Sequence, residues 1–254
     1  MNFIKSKLTA VFLLVFGIFL GALFHSTQER YIYKTIDLFW SFKKKSICNS
    51  SDLITAKSLS RKPIQKKKII ETRDSWIESV KEIKICPKTT AILLIDVWDL
   101  EELENDVVKS VNQKIINETI VPTINKHRKR DGLIIHSANG SKTYPDIINT
   151  KLDLDLSWTF RLPHKLQTIM LFWTLKSKGI EKVIYAGFST NMCLYSRAHG
   201  IQFTRKFEPY LDRFLLKEGT SAWEFSENTP NFTENLIKFI EWKHIPTISK
   251  KYLN

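Results

Sequence analysis

Two side chains in this 254-residue chain stand where nucleophilic chemistry could be done, Cys193 and Asp96. Cys193 follows VIYAGFSTNM (183–192), an apolar strand that passes Gly187 into a Ser-Thr-Asn cluster and resumes as a helix from Asn191. A cysteine on a first helical turn faces the positive end of the helix dipole and unpaired N–H groups, which lowers its pKa and favours the thiolate. The same N–H groups can hold an oxyanion on an attacked carbonyl. The competing reading is a buried small hydrophobe, the usual state of a free cysteine. Asp96 closes the apolar run Ala91 to Ile95. A carboxylate there needs a partner to offset its burial; beside a thiol it can take the proton and return it. The alternative is a surface aspartate capping the next helix, a role Asp99 fits better. Cys48 and Cys86 lie in linker or pre-strand sequence and read as inert, and three cysteines without paired spacing lean against a disulfide framework.

Other chemistries find no foothold. The six histidines show no H-x-H or H-E-x-x-H spacing and there is no C-x-x-C, so no metal site is signalled. A P-loop, G-x-G-x-x-G and G-x-S-x-G are all missing, which removes nucleotide-binding and serine-hydrolase readings; no cofactor is expected.

The elements that must position the pair begin at Thr89. TTAILLIDV (89–97) reads as a buried strand, residues 101–129 as a helix interrupted at Pro122, and GLIIHSAN (132–139) as a second strand ended by Asn139-Gly140. An irregular stretch (140–164) leads to a helix from about His164 to Lys178, stopped by Gly179. The strand Lys182–Gly187, an extended run from Tyr210 to Leu216, a helix around Asn231–Trp242 and a short PTIS strand complete the series. Such alternation predicts a mainly parallel sheet covered on both faces. Sites in these sheets lie beyond the carboxyl ends of the strands, where Asp96 and Cys193 both fall.

The chain divides into an anchor (1–24), a basic juxtamembrane linker and lead-in (25–88) and the α/β domain (89–254). Leu8 to Phe24 is an uncharged run of 17 residues, short for a spanning helix but long for a signal-peptide core. The bulky exit GALFHST also speaks against cleavage, so a single-pass N-terminal transmembrane helix is favoured over a signal peptide. Residues 1–70 hold 13 Lys/Arg against three acids, including the runs 43–45 and 66–68, and so carry +10 of the net +13. Such runs suit an anionic membrane surface or a solvated linker. No basic face is left on the domain for nucleic acid. The charges flanking the span leave its orientation undecided.

The strand TTAILLIDVWD, the segment IYAGFSTNMCLYSRAHGI, LIIHSANGS and LLKEGTSAWEF, in that order, resemble the isochorismatase-like cysteine hydrolases over roughly 89–249. The resemblance implies a flavodoxin-like three-layer α/β/α sandwich and hydrolysis of a small-molecule substrate, usually at an amide or ureide C–N bond. It implies an Asp–Lys–Cys triad in which Asp96 and Cys193 match two positions. It also implies an oxyanion hole from the Ser189 and Cys193 amides, with a non-proline cis peptide at Phe188–Ser189. The lysine is the departure: its expected place falls near Phe160 or Arg161, with Lys165 the nearest lysine. A thiolate beside a carboxylate needs a cation, and the candidates are Lys165 or, alternatively, Arg161. Trp98, Asn191 and Trp158 are expected around the pocket. Two functions follow: a membrane-anchored hydrolase, or a binding or scaffold domain that kept the fold without the lysine. Homo-oligomerisation is left open.

Overall fold

The computed structural model describes residues 29–41, 48–63, 76–103, 105–139, 143–223 and 231–253; the uncharged stretch 8–24 and the basic runs 43–45 and 66–68 lie outside the described residues. Among the described residues, no helix is long and apolar enough to cross a membrane.

The centre of the molecule is β3 (Thr90–Ile95), buried at every residue, flanked by β4 (Leu133–Ser137) and β6 (Lys182–Phe188), both parallel to it. β5 (Leu154–Asp155) extends the sheet beyond β4, and β7 (Asp212–Ser221) and β8 (Thr247–Ile248) extend it beyond β6, all in parallel. Short continuous apolar runs become central strands because only burial on both faces suits them. Alternate residues of β3 serve opposite layers: Ala91, Leu93 and Ile95 join one core cluster, Ile92 and Leu94 the other.

On the second cluster's face lies one long helical segment, α2 (Asp106–Ile115) and α3 (Val121–Arg128), burying Ile116, Ile120 and Ile124. A π-turn, Ile116–Ile120, joins them and absorbs Pro122, which has no N–H to give a regular ladder. The opposite face carries α4 (His164–Ser177) and, after the single turn α5 (Cys193–Ser196), α6 (Phe232–Lys243). The result is the expected three-layer α/β/α arrangement.

Within 25–88, the described residues form one α-helix and two strands that pack on the domain. α1 (Glu29–Ser41) buries Ile32, Tyr33 and Ile36 against α4, with the Tyr33 ring edge-on to Phe172 at 5.0 Å, and Asp37 pairs with Lys176 at 2.5 Å. β1 (Ile54–Pro63) and β2 (Trp76–Ile85) form an antiparallel hairpin, and β1 pairs antiparallel with β8. The strand order among the described residues is β2-β1-β8-β7-β6-β3-β4-β5. Lys81, Glu82 and Lys84 line the edge strand β2, and such charges discourage pairing with another chain. The sequence reading of Cys48 and Cys86 is also corrected: they form a disulfide (Cα–Cα 6.0 Å) that ties the segment after α1 to the entry of β3.

Candidate active site

The backbone turns sharply where β3 and β6 end. Gly187 has φ +126°, and a Cβ there would run into the Ile95 backbone of β3, so this close approach requires glycine. Asp96 and Ser189, the first residues past the two strands, have φ values of 52° and 54°, uncommon for residues with side chains and frequent at functional turns. Among the described residues there is no cis peptide bond, so the one expected at Phe188–Ser189 is replaced by this left-handed Ser189.

Asp96 is fully buried. Its N–H donates to the Ser137 carbonyl at the end of β4 (3.1 Å). Its Oδ1 accepts from the Asn139 N–H and from Arg197 Nη1, both at 2.9 Å. Oδ2 has no aligned hydrogen-bond partner among the described residues. Arg197 Nη2 lies 3.7 Å from the Cys193 sulfur. One guanidinium therefore bridges the carboxylate and the thiol. Cys193 is half-buried and is the free cysteine. Its thiol lies within electrostatic reach of Asp96.

The electrostatics reverse the sequence expectation for the thiol. Burial, followed by the Asp96 charge, pushes Cys193 up to about 11, and Arg197 only partly opposes this. Burial also raises Asp96, against the pull of Arg197, the Cys193 thiol, the Asn139 N–H and Trp98. The helix carrying Cys193 is a single turn of four residues, too short to supply a full macrodipole. The chain leaves it at Arg197, in extended backbone, and returns sharply through Gly200, where a Cβ would lie 2.7 Å from the Leu194 oxygen.

The amides of the turn after β6 divide into two groups. Met192 and Leu194 donate to the Ser189 carbonyl (2.8 and 3.2 Å) and Thr190 donates to Ser221 (2.9 Å), whereas the N–H groups of Ser189 and Cys193 have no backbone acceptor among the described residues. Asn191 acts as a clamp: its side chain accepts from the Trp223 N–H (2.9 Å) and donates to the Trp223 carbonyl (3.3 Å). That holds Trp223 edge-on to Trp98, ring centroids 6.3 Å apart. Trp158 is exposed on the turn Ser157–Arg161.

The predicted cations are not at the site. Lys165, on α4, pairs with Glu29 of α1 at 3.7 Å, and Arg161 is exposed at the end of its turn. The cation present is Arg197, four residues after Cys193, a spacing visible in the sequence as C-L-Y-S-R. The ring of Phe160, where the lysine was expected, lies against the Arg197 guanidinium (5.8 Å). No cluster of three metal-ligating side chains occurs among the described residues. An open groove of about 1430 Å³ lies elsewhere, between α1 and residues 202–210, and includes neither Asp96 nor Cys193. Size alone does not make it the reactive site, because its lining holds no thiol and no nucleophile–base pair.

No family model and no curated protein sequence matches this chain. Solved structures do share its fold. A cysteine hydrolase from Pseudomonas syringae pv. phaseolicola 1448A superimposes with a TM-score of 0.51 at 12% identity, covering 66% of this chain and 91% of that one. An isochorismatase from Pseudomonas putida KT2440 gives a TM-score of 0.51 at 12% identity, covering 65% of this chain and 90% of that one. The chain thus has an isochorismatase-like α/β fold.

Proposed function

We propose that this chain, built on the isochorismatase-like fold, is a cysteine hydrolase for a small substrate with an amide, ureide or related bond. The observation that carries the reading is the convergence of a buried carboxylate and a half-buried thiol from two strand ends, bridged by one guanidinium. In the first step Asp96 takes the thiol proton as sulfur attacks the carbonyl carbon, and the Ser189 and Cys193 N–H groups hold the oxygen. Collapse breaks the C–N bond, and the amine leaves with the proton from Asp96. Water, deprotonated by Asp96, then attacks the thioester, releasing the acid and the thiol. The raised thiol pKa fits this scheme, since the proton moves at the moment of attack and no standing thiolate is needed.

A panel of small amides and ureides, followed by mass spectrometry for a mass increment on Cys193, tests this. Turnover that Cys193→Ser abolishes and Asp96→Asn cuts by about 10²-fold or more supports it. A second reading, a binding domain without catalysis, is favoured by the same raised thiol and gains the field if no panel member is turned over or trapped.

We also propose that residues 8–24 anchor the protein in a membrane, with Lys5 and Lys7 on the cytosolic side. The Cys48–Cys86 disulfide supports a domain on the oxidising side, since such bonds are rare where thiols are kept reduced. Full-length protein with an intact N-terminus that partitions without detergent, or whose domain is digested from the cytosolic face, would overturn this topology.

A further inference from the structure

We propose that Arg197 is the cationic member of the catalytic site and that Phe160 positions it, so that the working set is Asp96, Arg197 and Cys193. The inference rests on the hydrolase reading for its chemistry, but its geometry stands alone. A planar guanidinium presents parallel donors, and here one goes to each reacting group: Nη1 to Asp96 Oδ1 at 2.9 Å and Nη2 to the Cys193 sulfur at 3.7 Å.

Local structure makes this contact specific. The Arg197 N–H donates to the Cys193 carbonyl at 3.2 Å, so the residue just past α5 still stands one turn on from Cys193, on the same face. The turn ends at Arg197 itself, and the Gly200 N–H donates to the Arg197 carbonyl at 2.7 Å. The Ile201 N–H then donates to Leu194 at 3.0 Å, which fixes the arginine's backbone on both sides. The Phe160 ring lies 5.8 Å from the guanidinium, an arrangement that favours a planar cation. The wall expected to bring a lysine brings a ring that steadies an arginine instead.

The chemistry follows from what a guanidinium does not do. It keeps its proton at any working pH, so every proton in the reaction passes between Asp96, Cys193, the leaving group and water. During attack the negative charge leaves the carboxylate for sulfur and the forming oxyanion, and returns later. A cation touching both ends stabilises the charge before and after the move, so the transfer does not strand a buried anion.

The test reads the thiol directly. Cys193 is the free cysteine and the other two are joined, so iodoacetamide on unreduced full-length protein reports on Cys193. The cleanest comparison removes the carboxylate first. With Asp96→Asn, Arg197 acts on the thiol alone, and alkylation at pH 8 is expected to exceed that of wild type. Adding Arg197→Gln should slow it about 10- to 1000-fold, the effect of losing an opposite charge at this range, and Arg197→Lys should recover most of the loss. Phe160→Leu, which removes an exposed ring at little risk to folding, should slow wild-type alkylation about two- to fivefold. Melting curves exclude unfolding as the cause. If Asp96→Asn does not fold, the alkylation rate of Arg197→Gln against wild type decides: a slower thiol supports the proposal and an unchanged one overturns it. Identical alkylation profiles with and without Arg197 would overturn the proposal. A responsive thiol in a protein that hydrolyses nothing would sink the hydrolase reading and leave Arg197 as the partner of Cys193.

Discussion

Gly187→Ala is the sharpest single-site test of how the two strand ends are held together. A Cβ at this position would point at the Ile95 carbonyl, with the Ile95 carbon and nitrogen each at 2.8 Å, whereas ordinary Cβ contacts lie at 3.4–4 Å. The neighbours are backbone and the carbonyl oxygen is nearer still than its carbon, so relief requires β3 and β6 to part by more than about 1 Å at the very end that carries Asp96. Overpacking of this kind costs about 1–3 kcal/mol, and φ +126° adds about 1–3 kcal/mol for a residue with a side chain. A central loss of about 4 kcal/mol corresponds to a drop in Tm of roughly 8–16 °C for a domain of this size. The functional loss should be larger than stability suggests, because a misplacement of about 1 Å between reacting groups can cost about 10²-fold. Thermal melts and Cys193 alkylation on the same samples measure both. A variant within 2–3 °C of wild type (about 1 kcal/mol) and with an unchanged alkylation profile would refute the reasoning about strand spacing.

Removing the Cys48–Cys86 disulfide by Cys48→Ser/Cys86→Ser opens a loop with a sequence separation of 38, a loss of about 4 kcal/mol from chain entropy. A melt insensitive to both substitution and reductant would show that the link is not formed. Lys165→Ala should leave the pH profile of Cys193 alkylation unchanged, because Lys165 pairs with Glu29 away from the site; a shift of one pKa unit (~1.4 kcal/mol) would restore it as a site cation. Burial holds His127 and His199 down at about 4, so both are neutral when folded while the unfolded chain titrates near ~6.5. The unfolded state then binds more protons, and stability present above ~6.5 should fall as pH drops toward 4. Asp153, held at about 2 by His136, Arg128 and the Asn149 N–H against the effect of burial, gives up its share only below ~4. Tm values flat from pH 7.5 to 5 would contradict this assignment for the histidines.

The central strands were legible because each is a continuous apolar run between turn signals, and α4 was legible because Gly179 stops it. The N-terminal hairpin was not. Lys57, Arg61, Lys81 and Lys84 make β1 and β2 look like charged linker, and the exposed Ile77 and Val80 break the apolar alternation. An edge hairpin has one solvated side and a single pairing neighbour, so its sequence need not carry a core strand's pattern. The disulfide was hidden for a related reason: its cysteines meet only because α1 and the hairpin fold back onto the sheet, and 38 residues of separation encode none of that.

Of the proposed site, the sequence offered the two strand-end groups and did not offer Arg197, and the reason is the length of one helix. The sequence suggests a helix from Asn191, whose dipole would lower the thiol pKa, with a second cation brought from residues 160–165. A four-residue turn has little dipole, and burial beside Asp96 raises the thiol instead. Stabilisation of the moving charge must then come from a side chain. On a single turn that begins at Cys193, the position one turn later carries a side chain over the sulfur, and the chain places arginine there. Lysine, a point charge, would favour one of the two reacting groups at a time; the arginine fork meets both at once, at 2.9 and 3.7 Å. The departure from the lysine pattern and the shortness of α5 are therefore one feature: ending the helix at Arg197 fixes the backbone from which its guanidinium spans Asp96 and Cys193.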